Sequence, residues 1–280
     1  MIFDRRLLRA RCARAAALGP STFLIDRVTE DIADRLAAVR RRFDRALDLD
    51  APTVAVRRVL AESGKVGSIL AVTADAEALP FRVASFDLIV SALALQFVND
   101  LPGALIQIRR ALRPDGLFLA ALLGGDTLTE LRQSFAVAES EIEQGLSPRV
   151  APFADLRDLG GLLQRAGFAL PVTDVDRLTV RYASPLALMH DLRRMGAANV
   201  LIERSRRPLR RETLARMIEV YESRFADADR RVRATFEIVW LSGWAPHESQ
   251  QKPLRPGSAQ RRLADALNAK EISAGEKAGR

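Results

Sequence analysis

Along residues 22–43, apolar positions recur at spacings of three and four. Leu24, Val28, Ile32, Leu36 and Val39 fall on one face, which predicts an amphipathic helix. The period then shortens. ALDLD at 46–50 reads as a short strand, 54–63 as a helix ended by Gly64, and 66–74 as a second strand. Residues 86–91, FDLIVS, form the near-continuous apolar run of a strand buried on both faces. Asn99 or Asp100 caps the next helix, whose Leu101, Leu105, Ile108 and Leu112 line one face until Pro114-Asp115-Gly116 stops it. A strand over 117–123 follows. Thr127-Leu128-Thr129-Glu130 then has the form of a capping box, opening a helix with Leu128, Leu131, Phe135, Ala138 and Ile142 on one side. Alternation of strand and helix predicts an α/β fold with a parallel sheet covered on both sides.

From Ser147 the texture changes. A helix near 153–166 ends at Gly167, and residues 172–182 alternate like an exposed strand. Helices at 185–195 and 210–225 lead to a last strand, where Phe236, Ile238 and Trp240 alternate with Glu237, Val239 and Leu241. The expected organisation is a helical lead-in over 1–42, a cofactor-type core over 43–146, a substrate or cap portion over 147–257 and a polar tail over 258–280. The lead-in, MIFDRRLLRARCARAAALG, is rich in arginine and nearly free of acid. With Phe3, Leu7, Leu8 and the alanines at 15–17 it reads as an amphipathic helix docked on the body, with peripheral membrane-surface contact as the alternative.

Composition narrows the classes. The single cysteine, Cys12, excludes an internal disulfide framework, and no apolar run approaches the roughly 18 residues of a membrane-spanning helix. A reducing, cytoplasmic setting is expected. The formal charge of +8 invites a nucleic-acid reading, but the basic pairs are scattered and no aromatic residues interleave with them as a base-stacking platform requires. No nucleic-acid partner is expected. Two histidines, His190 and His247, with no carboxylate or thiol at ligand spacing give no metal site, and no nucleophile–base grouping is visible. A catalytic residue is therefore not assigned.

The chemistry of a doubly wound sheet lies at the carboxyl ends of its strands, beside the point where strand order reverses. There the motifs become specific. LDLDAPTV ahead of a helix, DAEALPF, and SFDLIVSALALQFVNDLPGALIQIRRALRPDGLFLAALLGGDTL, in this order, resemble the middle of a class I S-adenosylmethionine-dependent methyltransferase of the type 11 kind. GGDTLTELRQS, SPRVAPFADLRDLGGLLQRAGF, LMHDLRRMGAAN, ATFEIVWLSGW and HESQQKPLRPGSA resemble the branch of the mitochondrial complex I assembly factor reported as a protein arginine hydroxylase. The malonyl-acyl-carrier-protein methyltransferases are a more distant likeness.

The resemblance implies a Rossmann-like methyltransferase sheet with helices on both faces, plus N-terminal helices and an α+β C-terminal half. It also implies S-adenosylmethionine as cofactor and a protein substrate, a respiratory complex I subunit being one. The setting would be the bacterial cytoplasm, with the inner face of the membrane as an alternative. Carried over position by position, the cofactor contacts are Asp48, Asp50, Asp75, Ala76, Ala92 and Gln96; the substrate contacts expected from their place are Gly125 and Asp126 at the end of a strand facing the same cleft, Arg132 in the helix behind it, and His247 after the last strand.

Two departures bear on function. The turn that is Gly-x-Gly-x-Gly in the family carries Asp50, Pro52 and Val54 here, so side chains project where backbone should approach a ligand, and Pro52 lacks an N–H. The span from Asp50 to Asp75 is too short for two strand–helix units, so the sheet is expected to be one unit short, with no acid between Leu70 and Ala74 for a ribose. A non-catalytic assembly or scaffold protein that keeps the fold without the cofactor is the competing expectation.

Overall fold

The computed structural model describes residues 1–73 and 76–251. Residues Met1–Pro246 form one compact unit and His247–Arg280 a second. The first unit opens with helices α1 (Arg5–Ala17) and α2 (Phe23–Ala38), then strand β1 (Phe43–Leu49), helix α3 (Ala55–Glu62) and strands β2 (Val66–Val72) and β3 (Phe86–Ala92). A 3-10 turn at Leu95–Phe97 precedes α4 (Leu101–Ala111), β4 (Leu112–Leu123), α5 (Thr129–Ile142) and α6 (Leu156–Arg165). The second half closes with β5 (Ala169–Tyr182), α7 (Pro185–Arg194), α8 (Arg211–Phe225) and β6 (Val232–Trp244).

Among the described residues, six strands form one sheet in the order β2-β1-β3-β4-β6-β5. The first four are parallel, and β6 runs antiparallel to both β4 and β5. Period-two alternation divides the side chains between two cores. Ala46, Leu88, Val90 and Ala92 join Ile32 of α2, Leu60 of α3, Phe135 of α5 and Met217 of α8 on one face. Leu47, Leu49 and Ile89 join Leu105 and Ile108 of α4 and Leu159 and Leu163 of α6 on the other. Helices thus cover both faces, and every residue of β3 is buried, as the run FDLIVS predicts. The sheet is short in the expected place: among the described residues, 76–85 between β2 and β3 hold turns and bends and no helix.

Local chemistry shifts several boundaries. Helix α2 stops at Ala38, five residues earlier than its apolar spacing suggests, because Lys65 Nζ donates to the carbonyls of Leu36, Ala37 and Val39 at 2.5–2.8 Å and satisfies its C-terminal acceptors. Pro114-Asp115-Gly116 is not the helix stop; Leu112 is already extended, and the triplet lies in an irregular start of β4. The capping box at 127–130 does not form. Leu128, at φ 56, stands at the N-terminus of α5 without a side-chain cap, while Thr127 Oγ1 and the Glu130 carboxylate turn to Glu237 and Thr235 of β6. Tertiary partners outcompete the local ones there.

The lead-in helix is docked. Asp4 caps α1 by accepting from the Leu7 N–H. Phe3 bridges to Leu201 and meets Phe97 edge-on at 5.8 Å. Asn99 Oδ1 accepts from the N–H groups of Ile2 and Phe3 at 2.6 and 2.8 Å.

Candidate functional site

Strand β2 lies outside β1, whereas β3 lies on the other side of β1, so the chain reverses direction across the sheet at the β1–β3 junction. Brought together at the carboxyl ends of these strands are Asp50 at φ 57 and Leu93 at φ 54. Neither is glycine, and left-handed backbone at such residues costs about 1–3 kcal/mol each unless the surroundings enforce it. The surroundings do: the Asp50 N–H donates to Val72 O at 2.9 Å and the Leu93 N–H to Ala121 O at 2.8 Å. Two neighbouring strained turns at a switch point mark the place where ligands bind in this architecture.

A cavity of about 590 Å³ opens there. Residues Asp50, Ala51, Pro52 and Thr53 line it from the first turn, Thr73 from the end of β2, and Leu93, Ala94, Gln96 and Phe97 from the segment after β3. Helix α1 closes one side with Leu8, Cys12 and Ala15, and the segment after α7 closes another with Gly196, Ala197 and Ala198. Leu131, Phe135 and Phe236 make the far wall apolar. Arginines edge the space, several already engaged: Arg5 Nη1 donates to Phe97 O at 3.2 Å, Arg194 Nε to Gly19 O at 2.7 Å, and Arg149 pairs with buried Glu139 at 2.6 Å.

The chain is 38% identical to the arginine-hydroxylase NDUFAF5 of Danio rerio over 286 residues, covering 94% of this chain and 89% of that one. The chain belongs to the NDUFAF5 family. A methyltransferase-domain model matches residues 29–120, the region from α2 through the first half of the sheet. The malonyl-[acyl-carrier protein] O-methyltransferase of Halorhodospira halophila is 33% identical, with 89% of this chain and 90% of the relative covered. A solved candidate methyltransferase from Bacillus halodurans C-125 superposes with a TM-score of 0.50 at 16% identity, over 78% of this chain and 98% of that one. That likeness shows the fold, a Rossmann-like methyltransferase sheet. The named relatives in this family are enzymes.

Within the family frame, the expected cofactor residues fall into three groups. Asp50 and Gln96 line the cavity. Asp48 lies behind the turn on the same face of β1 as Ala46, 3% exposed, with Oδ1 lacking a hydrogen-bond partner. Burial pushes its carboxyl up to about 6, and the Asp50 carboxylate adds to this against the opposing pull of Arg57. Gln96 donates from Nε2 to Leu93 O at 2.7 Å, which leaves its buried Oε1 without a donor. Ala92 is packed in the same core at the end of β3, whereas Ala76 belongs to the core on the opposite face. Asp75 lies outside the described residues.

The expected substrate residues are not drawn into the cavity. Gly125 and Arg132 are joined to each other, the guanidinium donating to the Gly125 and Thr127 carbonyls at 3.2–3.3 Å. Asp126 pairs with Arg177 at 2.5 Å, and Arg177 also reaches buried Glu237 at 2.9 Å. These contacts join α5 to the β5–β6 ribbon. His247 belongs to the second compact unit, where its Nδ1 stands 2.7 Å from Ser249 Oγ.

Sequence reasoning missed the walls from α1 and from 196–198. The readable signal was Gly196-Ala197-Ala198: Gly196 adopts φ 73, and a Cβ there would come within 3.2 Å of the Cys12 Cα and Sγ. Small residues let α1 approach. Cys12 is exposed and lines the cavity, where partial desolvation and the Asp50 carboxylate raise its thiol pKa and disfavour the nucleophilic thiolate.

Proposed function

We propose that this cavity binds S-adenosylmethionine and that the protein acts on a protein substrate in the assembly of respiratory complex I. The carrying observation is an open cavity at the β1–β3 switch point in a chain of this family, bordered by the two strained turns. Its volume falls in the range of roughly 300–1,000 Å³ usual for small-molecule and cofactor sites. Two buried acceptors without donors, Asp48 Oδ1 and Gln96 Oε1, supply what a cationic amine lacks in an apolar space. Asp48, Asp50 and Gln96 would hold the amino-acid end of the cofactor. When bound, S-adenosylmethionine supplies an electrophilic methyl group on a sulfonium.

The chain's own residues do the positioning. The apolar wall of Leu131, Phe135 and Phe236 excludes water, and α1 closes the space from above the strand ends. Alkyl transfer needs mainly alignment, so an acid–base triad is not required. The relatives' names include both a hydroxylase and methyltransferases; the cavity itself is neutral between these chemistries. A second reading has its own support: Pro52 removes an N–H from the turn, and the described end of β2, at Thr73, offers a hydroxyl where a ribose-binding fold places a carboxylate. On that reading the protein is a non-catalytic assembly factor. Among the described residues no helix is long and apolar enough to cross a membrane.

Calorimetry with S-adenosylmethionine and S-adenosylhomocysteine decides between them. Saturable micromolar binding is expected, weakened about tenfold by Gln96→Ala, the loss of one hydrogen bond to a charged group. Absence of heat up to millimolar ligand would transfer the assignment to the non-catalytic reading.

A further inference from the structure

A second concavity lies where α1 meets α7. This cleft, about 530 Å³, is lined by Arg11, Arg14, Leu18, Arg193 and Ala198, with no carboxylate among them. The side chains of the three arginines form no hydrogen bond or ion pair within the described residues. Asp4 does act on Arg11, but it is held by Arg204 at 3.4 Å. Burial and the charges of Arg204, Arg14 and Arg193 all hold the Arg11 guanidinium below its usual pKa, so each of these cations stands close enough to repel Arg11. Clustered like charges lower the stability of the compact state and serve as a binding field for anions.

We propose that this cleft docks an acidic segment of the protein substrate, a run of aspartate or glutamate side chains. The proposal rests on the protein-substrate reading above and names the chemistry by which that substrate is recognised. A single phosphate carries at most about two charges, fewer than the three guanidiniums that line the cleft, whereas successive carboxylates pair with each planar fork in turn. Leu18 and Ala198 supply apolar surface for the stems of such side chains. Position links the cleft to the reaction site: Arg193 and Ala198 line both the cleft and the cavity, so a segment held on the α7 end lies against a wall of the cavity.

The test is fluorescence anisotropy of a fluorescein-labelled octaglutamate peptide titrated with the full-length protein. Micromolar binding is expected, weakened at least tenfold in R11Q/R14Q and unchanged in R58Q/R82Q, which removes the same charge from exposed positions elsewhere. R11Q/R14Q should melt no lower than the parent, because repulsion has been relieved. Its S-adenosylmethionine binding, measured by calorimetry, should match the parent's, so the docking and cofactor readings fail separately. Peptide binding that depends on Arg11 and Arg14 in a protein that takes no S-adenosylmethionine still upholds the docking site. Equal weakening by both variant pairs would show a response to net charge alone and overturn it. So would displacement of the peptide by inorganic phosphate but not by chloride at equal ionic strength. Binding of phosphatidylglycerol vesicles through Arg11 and Arg14 with none of octaglutamate would reassign the cleft to a lipid surface and likewise overturn the proposal.

Discussion

Asp48 shows how a single side chain couples stability to the site. Its carboxyl is raised from 3.8 to about 6 by burial, and the Asp50 carboxylate adds to the shift. Well below the unfolded value of 3.8 the group is protonated in folded and unfolded chains alike. As pH rises towards 6 the unfolded chain releases its proton first, so stability falls through this window and the deficit persists above it. Two units correspond to about 3 kcal/mol, an upper figure for a site that relaxes. Asp48→Asn should therefore raise the melting temperature at pH 8 and leave it nearly unchanged well below pH 3.8; a lower Tm at pH 8 would mean that the ionised carboxylate is stabilised by a partner. The same substitution removes one of the two acceptors proposed for the cofactor. Greater stability and weaker S-adenosylmethionine binding should appear together, as expected where a site is kept at the expense of the fold.

The parallel half of the sheet was legible in the sequence, because buried strands and amphipathic helices impose periods of two and 3.6 that fixed side-chain geometry cannot hide. Elements whose ends are set by distant partners were not. Lys65 terminates α2 from nearly thirty residues away, and Glu130 and Thr127 leave their helix for β6. The candidate site divides the same way: Asp50 and Gln96 follow from their strands, but the α1 wall depends on a tertiary contact at Gly196 that no local pattern states. Two element-level outcomes follow. Gly124→Ala would set a Cβ against the Glu237 carboxylate and 2.7 Å from Val239 Cγ2, and should cost about 1–3 kcal/mol in chemical denaturation. Asn99→Ala should unfasten the Ile2–Phe3 segment; faster amide exchange along α1, with β1 and β3 unchanged, would show that α1 is held chiefly by its N-terminal anchor.

Across the whole molecule the charge is unevenly employed. Many of the 43 basic residues are tied into pairs such as Arg35–Asp174, Arg216–Glu141 and Arg181–Asp227, while the α1–α7 cleft collects arginines that are not. Binding of an acidic partner should thus weaken as salt rises, whereas S-adenosylmethionine binding inside the cavity should change little; equal salt sensitivity would argue against separate sites. The sheet also carries a consequence for biosynthesis. Strand β6 is the last strand among the described residues but lies inside the sheet, pairing residues 117–123 of β4 on one side and nearly all of β5 on the other. Until Trp244 has left the ribosome, β4 is an open edge and β5 has no neighbour. Folding of the second half therefore waits for translation to pass Trp244, and a nascent chain stalled between Tyr182 and Val232 would expose a ready template for misassociation.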